Sequence, residues 1–170
     1  MLTPERIPFI VFTVPPILLL IVIFFTRPAA RRLLGAFVGG LAFAVLHISW
    51  DTVAHSAGWW RYPFTTEAHA PLLWYMGSVF WGATSALIGW RIQRRWGLRG
   101  LIIFLVAVGV LGTVNDFAGA AAASANLIVF GAGFMPVLAD TLCSATNALV
   151  AQVGMRLVAG PAPADRLAFS

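Results

Sequence analysis

The chain reads as long apolar runs separated by short polar joints. Five runs reach the length of a membrane helix, about 20 mainly apolar residues: residues 8–25, 33–57, 71–92, 100–120 and 126–153. None alternates with the period of two that marks a barrel strand. The pattern therefore predicts an all-α polytopic membrane helical bundle of five transmembrane helices. Pro15-Pro16 predicts a kink in the first run and Pro136 one in the fifth, while Pro71 suits a first helical turn. The first run is too long for a signal-peptide core, and the sequence after it is a poor cleavage site, so it is expected to be retained. The longest joint, 58–70, is about a dozen residues. Residues 1–170 are thus expected to form a single transmembrane domain, with its chemistry inside the bundle or at its mouth.

Composition agrees with this pattern. Of the 170 residues 60% are hydrophobic and 10% charged, and the mean hydropathy is +0.88. Soluble domains carry about 25% charged residues. The net charge of +5 does not point to nucleic acid, because the cations sit in short clusters between apolar runs. Those clusters orient the chain. Arg27, Arg31 and Arg32 lie in the first joint, Arg91, Arg94, Arg95 and Arg99 in the third, and Arg156 and Arg166 near the C-terminus. The second joint has only Arg61 and the fourth no basic residue. Positive-inside reasoning then places the N-terminus outside and the C-terminus in the cytoplasm of a bacterial-type inner (cell) membrane. Trp59, Trp60, Tyr62, Trp74 and Tyr75 are expected as outer interfacial anchors, with Trp90 and Trp96 inside.

Two absences narrow the chemistry. All 11 basic residues are arginine, so no lysine can form a Schiff base. Cys143 is the single cysteine, which excludes an internal disulfide or a multi-cysteine metal site. That leaves six acids and three histidines. Ionisable groups inside spans are costly and usually face the bundle interior. His47, Asp51 and His55 follow one another at i, i+4 and i+8 in the second span, near one helix face. Asn115-Asp116 sit near the outer end of the fourth span, and Asp140 near mid-depth of the fifth. A shared pocket in the outer half of the bilayer, floored by Asp140, is the expectation.

Three readings of that set stay open. The polar groups can be interhelical glue. They can be an acid–base pair, one carboxyl donating a proton while another stabilises a cation. Or His47, Asp51 and His55 can ligate a metal; no cofactor is expected. In the second joint, Glu67 and His69 are either solvated or part of a lid in which Trp59, Trp60, Tyr62 and Phe64 fold over the pocket mouth. Trp50, Trp81 and Phe117 are either packing or a cation-stabilising wall. Gly35-x-x-x-Gly39 and Ala36-x-x-x-Gly40 permit close helix contact within one chain or between copies, which leaves a homo-oligomer open.

The stretch Trp50-Asp51-x-x-Ala54-x-x-x-Gly58-Trp59-Trp60-x-Tyr62-Pro63 resembles a segment of the lycopene cyclase domain and related small membrane proteins of carotenoid biosynthesis. The resemblance covers about 25 residues. It implies a proton-initiated, redox-neutral rearrangement of a polyprenyl chain, with Asp51 as the matched acid. Those cyclases carry paired glutamates after the proline that opens the next span. Here that place reads Pro71-Leu72-Leu73-Trp74, so Asp116, Asp140 or Glu67 would take their part. A fainter resemblance is to the emopamil-binding sterol isomerases, through His47-x-x-x-Asp51 and Trp81-Gly82-Ala83-Thr84-Ser85; it implies a double-bond shift through a carbocation.

The combined expectation is a cofactor-independent isomerase or cyclase acting on an isoprenoid-like lipid. Asp51, Asp116, Asp140, His47, His55 and Glu67 are the candidate catalytic residues, with Asp51 expected as the proton donor, oriented by His47 or His55, and Asp116 and Asp140 as counter-base or cation stabiliser. Trp50, Trp81, Phe117, Asn115 and Trp59 are the candidate substrate-binding residues. The alternatives are a small proton-coupled transporter or channel, in which the acids descend as a path, and a structural membrane subunit.

Overall fold

A computed structural model describes residues 7–122 and 127–162. Its helices are α1 (Ile7–Thr26), α2 (Ala30–Ser56), α3 (Leu72–Ala122) and α4 (Phe134–Ala159). A short antiparallel ribbon joins β1 (Trp60–Arg61) to β2 (Val129–Phe130). Three helices, α2, α3 and α4, are long and apolar enough to cross a bilayer, and α1 adds a shorter apolar stretch at Phe12–Thr26. Large side chains such as Leu20, Phe24, Leu41, Ile103, Leu111 and Leu142 face outward. Such an apolar exterior suits lipid rather than water and marks an integral membrane protein.

α3 is not one rod. Gly97 breaks it with φ 65 and ψ −151, a conformation that glycine adopts without strain. A Cβ added at Gly89 would lie 2.8 Å from Phe104 Cε1. Fifteen residues along a straight helix span about 22 Å, so the chain must reverse between the two. Residues 72–96 and 98–122 therefore form a helical hairpin, and the described residues build five helical rods. The 71–92 and 100–120 runs fall on its two arms.

Glycine sets how close the rods come. A Cβ on Gly39 would lie 2.2 Å from the Ala151 carbonyl oxygen of α4. A Cβ on Gly40 would lie 2.2 Å from the Val79 carbonyl oxygen of α3. The small-residue stripe thus packs α2 against two partners within one chain. The other end of the bundle is tied by arginine. Arg31 donates to the Val158 carbonyl (2.8 Å) and Arg32 to the Gly160 carbonyl (2.8 Å), so cations cap the open C-terminus of α4.

Two sequence expectations need correction. The fifth run was expected to be helical from residue 126, which lies outside the described residues, yet 129–130 is strand and the helix opens only at Phe134. Gly133, at φ 96, ends the irregular stretch. Pro136 consequently sits in the first turn of α4, where its missing N–H costs nothing, rather than at a mid-span kink. The interfacial anchors also differ. Trp60, Tyr62, Tyr75 and Trp90 are buried, because their polar atoms or ring faces have partners inside. Arg32 lies over the Trp90 ring at 5.4 Å.

Candidate functional site: a level of carboxyls under a folded loop

α2 ends in a Schellman turn. Gly58, at φ 70, donates to the His55 carbonyl (3.1 Å), and Trp59 to the Ala54 carbonyl (2.8 Å). That turn throws the following loop back over the bundle. β1 pairs with β2, and Gly131 extends the ladder by donating to the Trp59 carbonyl at 2.7 Å. In this extended stretch alternate residues face opposite ways. Trp60 and Tyr62 point in and Arg61 points out.

Both inward residues meet Asp51, which is 1% exposed. Trp60 Nε1 donates to Oδ1 at 3.0 Å. The Tyr62 hydroxyl lies 3.0 Å from each carboxylate oxygen. The Tyr75 hydroxyl, from the start of α3, donates to Oδ2 and accepts the Ala70 N–H at 3.1 Å. Three donors from two segments, the loop after α2 and the start of α3, thus converge on one carboxylate. Burial, and then the neighbouring Asp51 charge, push the Tyr62 phenol well above its usual value near 10. His47 completes the group: Nε2 is 4.0 Å from Asp51 Oδ1, and Nδ1 bonds Ser78 Oγ at 3.0 Å.

The other two membrane aspartates lie at the same level. Asp51 is five residues from the Ser56 end of α2, Asp116 six from the Ala122 end of α3, and Asp140 six from the Phe134 end of α4. At 1.5 Å per residue each is about 7–9 Å below its helix end. The expected mid-depth position of Asp140 is therefore corrected: α4 starts later than the apolar run. Asp116 interacts electrostatically with His47 and Asp51, and Asp140 with Asp116 and Asp51. Asp140 is 5% exposed, and its Oδ2 has no hydrogen-bond partner among the described residues. Nearby, the Thr113 and Thr141 hydroxyls pair at 2.9 Å, joining α3 to α4.

The remaining candidates divide. Asn115 donates to Asp116 Oδ1 at 3.1 Å. Trp50 Nε1 donates to Thr146 Oγ1 at 3.0 Å and pins α2 to α4. Phe117 stacks on Phe130 with centroids 3.9 Å apart, seating the ribbon on the bundle. Trp59 is half-buried in the cluster around Tyr62 and Tyr75. Three are corrected. Trp81 is 45% exposed, because its neighbour Gly82 takes the inward position against Phe43. His55 is exposed, since the eight residues from His47 carry it about 80° around a 3.6-residue helix, away from the face that His47 turns to Ser78. Glu67 is exposed at the loop tip, its backbone N–H on Thr65 Oγ1, and does not reach the carboxyl level. Among the described residues, His47, Asp51 and His55 are not gathered into a group that could hold a metal.

The sequence offers Trp60 and Tyr62 either as anchors or as part of a lid and Tyr75 as an anchor, and does not mark Ser78. The available signal was alternation: Trp60 and Tyr62 are two apart, nine and eleven residues after a span aspartate. No protein-family profile, curated protein or solved structure matches the chain.

Proposed function

We propose that the chain is an integral-membrane isomerase or cyclase that rearranges an isoprenoid-like lipid by proton transfer, without redox change or a bound cofactor. In this reading all five rods cross a bacterial-type inner membrane. The N-terminus lies outside, and the arginine-rich end faces the cytoplasm. The Arg27–Arg32 and Arg91–Arg99 clusters support that orientation. The substrate class rests on the resemblance around Trp50–Pro63.

One observation carries the chemistry. Two carboxyls share a level but differ in their surroundings. Both oxygens of Asp51 are engaged by donors, whereas a buried oxygen of Asp140 is free for a proton or a ligand among the described residues. Carboxyls in contrasting environments are the usual basis of acid/base division. Asp140 is thus the proton donor to an alkene carbon. Asp116, held by Asn115 and close to His47, takes the proton released elsewhere, so atoms and charge balance. Asp51 is a positioning residue that seats the loop and adds fixed negative charge near a carbocation. Trp50 and Phe117 shape the walls, and Trp81 faces lipid. The carrier alternative rests on acids that descend through the bilayer; their similar distances from the helix ends support the enzyme reading over it.

The test is turnover of a lipid identified by mass spectrometry after copurification. Asp140→Asn abolishes turnover in this reading, while Trp81→Leu leaves it unchanged. An Asp140→Asn protein that folds and turns over normally overturns the assignment.

A further inference from the structure

Below the carboxyl level the interior stays polar. On α4, Asn147 lies seven residues beyond Asp140, about two turns down the same face. On α3, Ser85 lies seven residues beyond Ser78, again on one face. Gln152 fixes the register between the two helices by donating to the carbonyls of Ser85 (3.1 Å) and Ala86 (2.8 Å). Gly89 makes room for that amide: a Cβ there would lie 2.1 Å from Gln152 Nε2.

Each of these residues keeps a buried polar atom without a partner among the described residues: Asp140 Oδ2, Asn147 Oδ1, Ser85 Oγ and Gln152 Oε1. Gln93, eight residues past Ser85 toward the arginine end, has another in Oε1. Asn147 and Gln152 are each 1% exposed. Buried polar groups are bonded in nearly all folded proteins, so these atoms call for a ligand. The amide oxygens are acceptors only, so the ligand must bring donors. The twelve residues from Asp140 to Gln152 span about 18 Å along α4. Acceptors strung over that distance cannot converge on one cation, which needs its oxygens in a single shell. Separate water molecules, each with two to four partners, can satisfy acceptors spread in this way.

We propose that a file of bound water runs from Asp140 past Asn147 and Ser85 to Gln152 and Gln93. Its use rests on the acid–base reading above: it returns a proton to Asp140 from the arginine end, and Asp116 releases the one it took at the loop end when the lipid leaves. Two sulfurs report on it. Cys143 and Met155 are both buried, at 4% and 1% exposure. Cys143 Sγ accepts the Asn147 amide at 3.3 Å, beside the file. Met155 packs in the apolar cluster with Ala36, Leu87 and Trp90.

The test is hydroxyl-radical footprinting of the full chain in detergent in ¹⁸O-labelled water, with each rate normalised to the unfolded chain. Wet sites are oxidised even when buried. Oxygen from water is expected at Cys143 at least about fivefold faster than at Met155, because ordered water lies beside only one of them. Asn147→Leu, which fills the file, is expected to remove most of that difference. Ser85→Val does so from the opposite helix if the Asn147 variant does not fold. Equal, slow labelling of both sulfurs in the wild-type chain overturns the file, as does fast Cys143 labelling that persists in a folded filling variant. Neither readout depends on turnover. A dry Cys143 with an inactive Asp140→Asn protein therefore removes the file and keeps the enzyme; the opposite pair of results does the reverse.

Discussion

Removing one donor from Asp51 should loosen the loop far more than a surface change would. In Tyr62→Phe the ring stays and only the hydroxyl goes. The carboxylate then keeps the Trp60 N–H, at 3.0 Å, and the Tyr75 hydroxyl. A hydrogen bond to a charged group is worth about 1.5–3 kcal/mol, and the group stays buried. A loss near 2 kcal/mol corresponds to about 30-fold more frequent opening at 1.4 kcal/mol per tenfold. Asp51→Asn is expected to cost more. An amide nitrogen at the Oδ1 position would face the Trp60 N–H, which cannot become an acceptor. Turned to Oδ2, it would face a Tyr75 hydroxyl that already accepts the Ala70 N–H. Either way one bond is lost and the others weaken from charged to neutral, for about 2–4 kcal/mol in all. Hydrogen exchange read by mass spectrometry on peptides from 57–71 is the direct assay, because local opening sets amide protection. Both variants should lose protection there while the middle of α4 keeps it. Loop protection within a few-fold of wild type in Asp51→Asn would refute the three-donor clamp.

Other consequences are equally concrete. Gly39→Ala and Gly40→Ala each push a methyl to 2.2 Å from a backbone oxygen, so each should lower unfolding stability by about 1–3 kcal/mol. Gly119→Ala meets nothing within 4 Å and should be neutral or stabilising by up to about 1 kcal/mol; equal effects in all three would contradict the packing. The chain has two tyrosines, and the Tyr62 phenol is raised. Its folded value exceeds its unfolded one, so its contribution to stability is complete below the unfolded value and is lost as pH rises through the folded one. Tyrosinate absorbance from Tyr62, isolated in Tyr75→Phe, should therefore appear only well above the usual value, together with alkaline unfolding. A normal titration near 10 in the folded protein would contradict its burial against Asp51. Trp81→Leu and His55→Ala should leave turnover unchanged, since both side chains face out of the bundle.

The apolar runs were legible because hydropathy averages over many residues and tolerates errors at the ends. The reversal at Gly97 was legible as a polar joint around Arg94, Arg95 and Arg99. The start of α4 was not, because Leu127, Ile128, Val129 and Phe130 are apolar in a strand as they would be in a helix. Their fate depends on pairing with Trp60 and Arg61, a contact some 70 residues away in sequence. Asp51, His47, Asp116 and Asp140 stood out as ionisable groups in apolar runs. The partners of Asp51 were legible only in part: Trp60 and Tyr62 read as lid or anchor and Tyr75 as anchor, and it is the Gly58 turn that brings the loop onto the carboxylate. Helical spacing placed His55 on the face of His47 and Asp51 only by ignoring the drift that accumulates over the eight residues from His47. Trp81 failed as a wall residue for a related reason: its inward neighbour is glycine, which hydropathy scarcely weighs.

The central claim is proton-initiated rearrangement at the Asp140 level. Its most direct measurement is the mass of the product formed from the copurified lipid in deuterated buffer. The account predicts an isomer, equal in mass to the substrate in ordinary water and carrying solvent deuterium at carbon in deuterated water, with formation lost in Asp140→Asn. A product that differs by two hydrogens, or an isomer formed without solvent deuterium, would contradict it.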